Sequence, residues 1–140
     1  MDAFLFEVIA AKDFFLQEIN TAFIRPALNP QDVDDGRLMG CSLLPDNVRN
    51  KVVGKIRKLK SQKDSWLWRL NNYRNVATHR HLLRRDFKVE VGGGDGIPRV
   101  YLPMDPDDSS KGSLDKQVIP YCEESLKQMA ELLEELYSQL

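Results

Sequence analysis

The spacing of apolar positions divides the chain into four helical segments. Apolar residues recur at three- and four-residue steps from about Ala3 to Ile24, which predicts a long amphipathic first helix. Arg25-Pro26 ends it, because proline lacks an amide donor and restricts the residue before it. After a polar loop over residues 29–36, Pro45-Asp46 opens a second helix, with Asp46 as its candidate N-cap.

The second half of the chain contains two further helices and a hairpin. A break at residues 61–64 precedes a third helix from about Ser65 to Arg85. Apolar and polar residues then alternate on both sides of the glycine-rich run 92–96, which predicts a β-hairpin at about residues 87–102. Residues 103–112 form a loop, and the last helix runs from about Ser113 to the end.

Four helices with short connections pack most economically as an antiparallel bundle. The sequence therefore predicts a single all-α domain over residues 1–140, an antiparallel four-helix bundle with a β-hairpin inserted before the last helix.

Composition restricts the class of protein. A hydrophobic content of 42% and a charged content of 29% over 140 residues are typical of a soluble globular domain. The start of the chain lacks the basic region of a signal peptide, and no apolar run approaches the roughly 18 residues of a spanning helix. Cys41 and Cys122 lie far apart, without metal-site or disulfide spacing. We expect a cytoplasmic protein with no metal, no cofactor and no membrane contact.

The net charge of −1 conceals a strong asymmetry. Residues 49–88 contain thirteen lysines and arginines and two aspartates, whereas residues 105–140 contain nine acidic residues and three lysines. A basic stripe of this kind is typical of a nucleic-acid binder. The alternative is that the lysines are the solvated face of the second helix and pair with the acidic last helix.

A compact set of side chains suited to phosphodiesters lies in the third helix, within the segment Tyr73–Arg80. Arg74 can hold a phosphate through its planar fork of donors. His79 can transfer a proton near neutrality. Asn75 precedes His79 by four residues, so on a helix the two side chains share a face and the amide can orient the imidazole.

The spacing of Arg74 and His79, with a polar residue after the arginine, resembles the Arg-x4-6-His signature of HEPN domains. The resemblance implies a helical bundle and a metal-independent ribonuclease whose motifs from two protomers meet at a two-fold interface. It also implies a toxin or phage-defence effector restrained by an antitoxin or other regulatory protein. In toxins neutralised by a nucleotidyltransferase, a tyrosine follows the histidine by two residues; here that position is His81.

Helix geometry leaves three arrangements of the motif open. Arg74 and His79 are separated by about 140° around a helix, whereas Arg74 and His81 lie on nearly the same face. Either the arginine reaches round, or two chains each contribute part of the site, or His81 is the functional histidine. The four residues Trp66, Trp68, Tyr73 and Val76 offer more apolar surface than one bundle seam needs, which favours a homodimer; the alternative is that they fill the monomer core.

RNA is the substrate that this chemistry favours, because a histidine can deprotonate the ribose 2′-hydroxyl without a metal. The predicted catalytic residues are Arg74, Asn75 and His79. The predicted nucleic-acid-binding residues are Lys55, Lys58, Arg80 and Arg84. The competing hypothesis is a non-catalytic HEPN-like module that binds nucleotide, RNA or a protein.

Overall fold

Five α-helices and three short strands make up the described part of the chain, which in this computed structural model comprises residues 2–79, 85–88 and 96–140. The elements are α1 (Asp2–Phe23), α2 (Asp35–Gly40), α3 (Gly54–Ser61), α4 (Trp66–His79), β1 (Asp86–Lys88), β2 (Arg99–Pro103), β3 (Ser113–Gln117) and α5 (Val118–Tyr137). The described residues are therefore mainly helical, which agrees with the predicted all-α class only in that coarser respect, and they also form a small antiparallel sheet.

The first helix ends where the sequence predicts. α1 stops at Phe23, just before the Arg25-Pro26 peptide, which is cis. Asn20 then anchors the returning chain: its side chain accepts a hydrogen bond from the Leu28 amide at 2.8 Å and donates one to the Leu28 carbonyl at 2.9 Å. The loop after α1 is thus held against the end of the helix.

The region between α1 and α4 contains more helix than predicted. α2 lies partly in the predicted polar loop, and the Asp34 carboxylate caps it by accepting from the Arg37 amide at 2.8 Å. The predicted second helix starts at residues 46–47, as expected, passes through a π-helical stretch, Val48–Val53, and continues as α3. The N-cap role of Asp46 is wrong, since its carboxylate instead accepts from the Arg49 guanidinium at 2.8 Å.

The predicted hairpin is confirmed in its two strands, because β1 pairs antiparallel with β2. Its glycine turn, residues 92–95, lies outside the described residues. A third strand, β3, pairs with the other edge of β2, so the prediction of a helix from Ser113 is wrong. Residues 113–117 are extended with Leu114 buried, and α5 starts at Val118, which places Pro120 in the first turn where its missing amide costs no hydrogen bond.

The third predicted helix corresponds to α4 but does not extend to Arg85, which lies outside any helix. Its apolar side chains Leu67, Leu70, Tyr73 and Val76 are all buried in the core. The expectation that Tyr73 and Val76 provide a dimer surface is therefore wrong: three-residue spacing turns both of them toward the core formed with α1 and α5.

Contacts along α1, α4 and α5 define their relative directions. Phe4 of α1 shares a groove with Val118 and Cys122 at the start of α5, and Glu18 accepts a hydrogen bond from the Tyr137 hydroxyl at its end. α1 and α5 therefore run in the same direction, unlike the first and last helices of the antiparallel bundle that the sequence predicts. No helix within the described ranges is long and apolar enough to cross a bilayer.

Candidate functional site

Arg74 lies on the side of α4 that faces α1. Its side chain is 28% exposed, and its Nη2 is 3.7 Å from Oδ2 of Asp13. One turn further along α4, the Thr78 hydroxyl donates a hydrogen bond to the backbone carbonyl of Arg74 at 2.7 Å. Arg74 is thus accessible at one edge and oriented by a carboxylate at the other.

Asp13 is shared with a buried lysine. Nζ of Lys12 is 2.7 Å from Oδ1 of Asp13, and the Lys12 side chain is 4% exposed. Lys12 occupies a core-facing position of α1, four residues after Val8 and three before Phe15, both buried. Burying an ammonium is costly unless it is paired. The closer ion pair of Asp13 is therefore the one with Lys12, and its contact with Arg74 is the longer of the two.

Sequence reasoning did not include this cluster of Lys12, Asp13 and Arg74. A signal was present, because a lysine on the apolar face of a helix needs a partner. The sequence did not show that the partner is the adjacent aspartate, nor that this aspartate also faces α4.

Asn75 lies on the solvent side of α4 and is exposed. Its side chain makes no hydrogen bond to any residue that the structure describes. His79, four residues further on, is the last residue of α4 within the described part of the chain. The His79 side chain, together with Arg80, His81 and Arg84, lies outside the described part of the chain, so the contact between Asn75 and His79 stays a prediction.

The structure places Lys55 and Lys58 at the other end of α4 from Arg74. Both are on α3, and Lys55 lines a shallow recess with Trp66, the first residue of α4. Arg74 is eight residues further along the helix, which corresponds to about 12 Å of axial rise. Lys58 is exposed, whereas Lys55 forms an ion pair with Glu135 of α5.

Intramolecular pairing reduces the positive field of the basic region. Arg49 donates to the carbonyls of Cys41 and Leu44, at 2.9 and 2.7 Å, so it closes a loop. Lys60 pairs with the buried Asp35 at 2.7 Å. The alternative prediction, that lysines of the second helix pair with the acidic last helix, is confirmed for Lys55, which pairs with Glu135. Among the described residues of this region, six cations are exposed: Lys51, Arg57, Lys58, Lys63, Arg85 and Lys88.

A pocket of about 380 Å³ that the sequence did not indicate lies between α4, β3 and α5. Trp66, Arg69 and Tyr121 contribute to its wall. Burial raises the pKa of Tyr121 to about 12, although Ser125 and Arg69 act in the opposite direction. Because the three carboxylates of the wall outnumber its two cations, the pocket has no electrostatic preference for an anion.

The described residues contain no group of three or more histidine, cysteine and carboxylate side chains placed to hold a metal ion. Comparisons with protein-family models, curated proteins and solved structures find no match for this chain. Any function must therefore be argued from its own residues.

Proposed function

We propose that this protein is a HEPN-like, metal-independent endoribonuclease. The observation that supports the proposal is the state of Arg74. Its guanidinium is partly exposed, oriented by Asp13 and carried on the same helix as Asn75 and His79. A pre-oriented, accessible arginine followed within about one and a half turns by a histidine is suited to binding and cleaving a phosphodiester.

In the proposed reaction, His79 removes the proton from a ribose 2′-hydroxyl, whose oxygen then attacks the adjacent phosphorus. The bond from phosphorus to the 5′-oxygen breaks, and a second His79 donates a proton to that leaving oxygen. Arg74 stabilises the negative charge on the phosphoryl oxygens, and Asn75 orients the imidazole. The products are a 2′,3′-cyclic phosphate and a 5′-hydroxyl, and DNA is inert.

A homodimer supplies the second histidine. Tyr73 and Val76 fill the core, so the dimer contact in this proposal uses the solvent side of α4, where Asn75 is exposed. A two-fold axis beside this face juxtaposes two copies of the motif within a bundle of HEPN type. By the same resemblance, the enzyme acts in the cytoplasm as a toxin or phage-defence effector and is restrained by an antitoxin or regulatory protein.

One observation favours the second candidate, a non-catalytic module that binds RNA or nucleotide. Asp13 already forms an ion pair with Arg74 at 3.7 Å, so an incoming phosphate has to compete with that carboxylate. This competition lowers the affinity of Arg74 for phosphate. In the non-catalytic module, Arg74 would bind the phosphate and no proton would be transferred.

Both candidates are tested by incubating the purified protein with labelled RNA in excess chelator and measuring RNA cleavage. We expect cleavage to persist with chelator and to be lost in His79→Ala, since general acid–base groups contribute about 10²–10⁴-fold. Arg74→Ala is expected to reduce both rate and affinity. Lys127→Ala is the matched control: Lys127 is 76% exposed and lies outside the basic region, so its loss should leave the rate unchanged.

Other outcomes assign the function differently. Cleavage that survives in His79→Ala but disappears in His81→Ala identifies His81 as the functional histidine. Cleavage abolished by the chelator contradicts the metal-independent mechanism. RNA binding without cleavage, weakened by Arg74→Ala, supports the non-catalytic module.

A further inference from the structure

The outer side of the α1–α5 pair carries large apolar side chains in solvent. Phe14 and Ile119 are each 71% exposed, and Leu126 is 56% exposed. A few scattered apolar residues on a surface need no explanation, but a contiguous exposed apolar patch marks an interaction site. The positions of these three side chains relative to one another therefore decide whether they are scattered residues or part of an interaction site.

On α5 the apolar side chains form a stripe along the helix. Ile119, Leu126 and Leu133 are spaced by seven residues, so they lie on one side of α5, and Cys122 lies between the first two. The buried side chains of α5, such as Met129 and Leu136, form the adjoining stripe that faces the core, and Leu133 also packs against it. The apolar side of α5 is thus wider than the part that it buries, and Ile119 and Leu126 extend it into solvent.

α1 contributes the matching half of this face. Phe14 lies one turn before Glu18, whose carboxylate accepts from Tyr137 of α5, so Phe14 is on the side of α1 next to α5. Phe4 and Ala11 continue the same side toward the start of the helix. The apolar sides of α1 and α5 meet where Phe4 lines a cleft together with Ile119 and Leu126.

The surface includes a groove suited to an anchoring side chain. Phe4, Val118, Ile119, Cys122 and Leu126 line a cleft of about 360 Å³ between the first turns of the two helices. Glu123 lies at its rim. A bulky apolar side chain inserted from a neighbour fits the hot-spot pattern of helix-in-groove recognition.

The exposed charge on α1 and α5 is mainly negative. Of the nine acidic residues in the two helices, three are paired with cations on other sides: Asp13 with Lys12, Glu124 with Lys116 and Glu135 with Lys55. The one exposed lysine of the two helices, Lys127, is 3.8 Å from Glu131. Glu7, Glu123 and Glu134 are exposed. An acidic rim repels both a second copy of the same face and an anionic membrane, and it attracts a cationic partner.

We propose that the α1–α5 face is a docking surface for an amphipathic helix of a partner protein, one that carries an apolar ridge flanked by lysines or arginines. The ridge covers Phe14, Leu126 and the groove at Ile119, and the flanking cations meet the acidic rim. The proposal uses neither Arg74 nor His79, so it does not depend on the proposed ribonuclease activity.

Two synthetic peptides of about 18 residues are the probes, long enough to form five helical turns. Both carry leucine and phenylalanine at i, i+3, i+4 and i+7, and they differ only in flanking residues, lysine in one and glutamate in the other. Binding is measured by fluorescence anisotropy. We expect the lysine-flanked peptide to bind at least about tenfold more tightly than the glutamate-flanked one, because charge complementarity governs partner choice.

Variants locate the contact. Leu126→Asp should weaken binding of the lysine-flanked peptide by about tenfold or more, since truncating or charging a central apolar contact removes a hot spot. Leu43→Asp is the matched control: Leu43 is also 56% exposed but lies outside α1 and α5, so binding should not change. Glu123→Lys should reverse the preference toward the glutamate-flanked peptide.

Cysteine alkylation adds an independent readout. Cys122 lines the groove, whereas Cys41 follows α2 and serves as the internal reference. Bound peptide should slow alkylation of Cys122 relative to Cys41. Equal affinity for the two peptides, no binding by either, or binding without protection of Cys122 would overturn the proposal. So would a concentration-dependent homodimer, or adsorption to anionic vesicles, that Leu126→Asp abolishes.

Discussion

Removing the hydroxyl oxygen of Tyr73 tests how strongly the packing of α4 against the sheet depends on one buried hydrogen bond. The ring is fully buried, and its hydroxyl donates to the carbonyl of Pro103 at the end of β2. Tyr73→Phe removes the donor and leaves that carbonyl unsatisfied in the interior. The cost of such a group is about 1–3 kcal/mol, and the more apolar ring offsets part of it, so we expect a loss of about 1–2 kcal/mol in the free energy of unfolding at pH 7.

The pH dependence makes the prediction sharper. Burial raises the pKa of Tyr73 well above its ordinary value; Tyr121 and Asp105 act in the same direction, and Arg69 opposes them. In the unfolded chain a tyrosine ionises near about pH 10, so the stability linked to this raised pKa is complete below about pH 10 and is lost as the pH rises. At about pH 11 the wild type loses about 1.4 kcal/mol through this one group, a loss that Tyr73→Phe cannot show.

The two stability curves are therefore expected to converge. Urea unfolding followed by circular dichroism at pH 7 and at about pH 11 measures the difference between wild type and variant, which should fall from about 1–2 kcal/mol to near zero. Tyr101→Phe, at a partly exposed site on β2, is the control for general alkaline effects. A difference that stays constant across this pH range refutes the reasoning about burial, and an unchanged stability at pH 7 refutes the role of the hydrogen bond to Pro103.

Three further predictions concern other parts of the fold. Asp13→Ala leaves the buried Lys12 ammonium without its partner and should destabilise the protein by about 1–3 kcal/mol in urea unfolding, and adding Lys12→Met should restore most of the loss; no recovery would show that Lys12 is not the cause. Lys55→Ala should cost less than about 1 kcal/mol, and the difference should vanish at high salt, because the ion pair with Glu135 is partly exposed; a larger, salt-independent loss in urea titrations argues against this assignment. Gly112→Ala should lower stability by about 1–2 kcal/mol in thermal unfolding, because Gly112 has φ of 74° just before β3, and an unchanged midpoint contradicts that strain.

Local sequence signals located most of the helices and part of the sheet. The apolar period of α1, the proline after it and the alternating residues of β1 and β2 depend only on neighbours in the chain, and each appears where expected. β3 was missed because a five-residue strand with a single buried leucine resembles the start of the adjoining helix. α2 was missed because its start depends on one capping carboxylate, Asp34, within a polar segment.

The candidate site also has features that the sequence predicts and features that only tertiary contacts determine. Arg74, Asn75 and His79 could be selected from residue types and spacing, because one helix carries all three. Their surroundings depend on residues distant in sequence: Asp13 of α1 meets Arg74, and Glu135 of α5 meets Lys55. Helical periodicity tells which residues share a face but not which helix covers that face. Tertiary packing alone therefore decided that Tyr73 belongs to the core, that Lys55 is paired, and that Phe14 and Leu126 remain exposed to solvent.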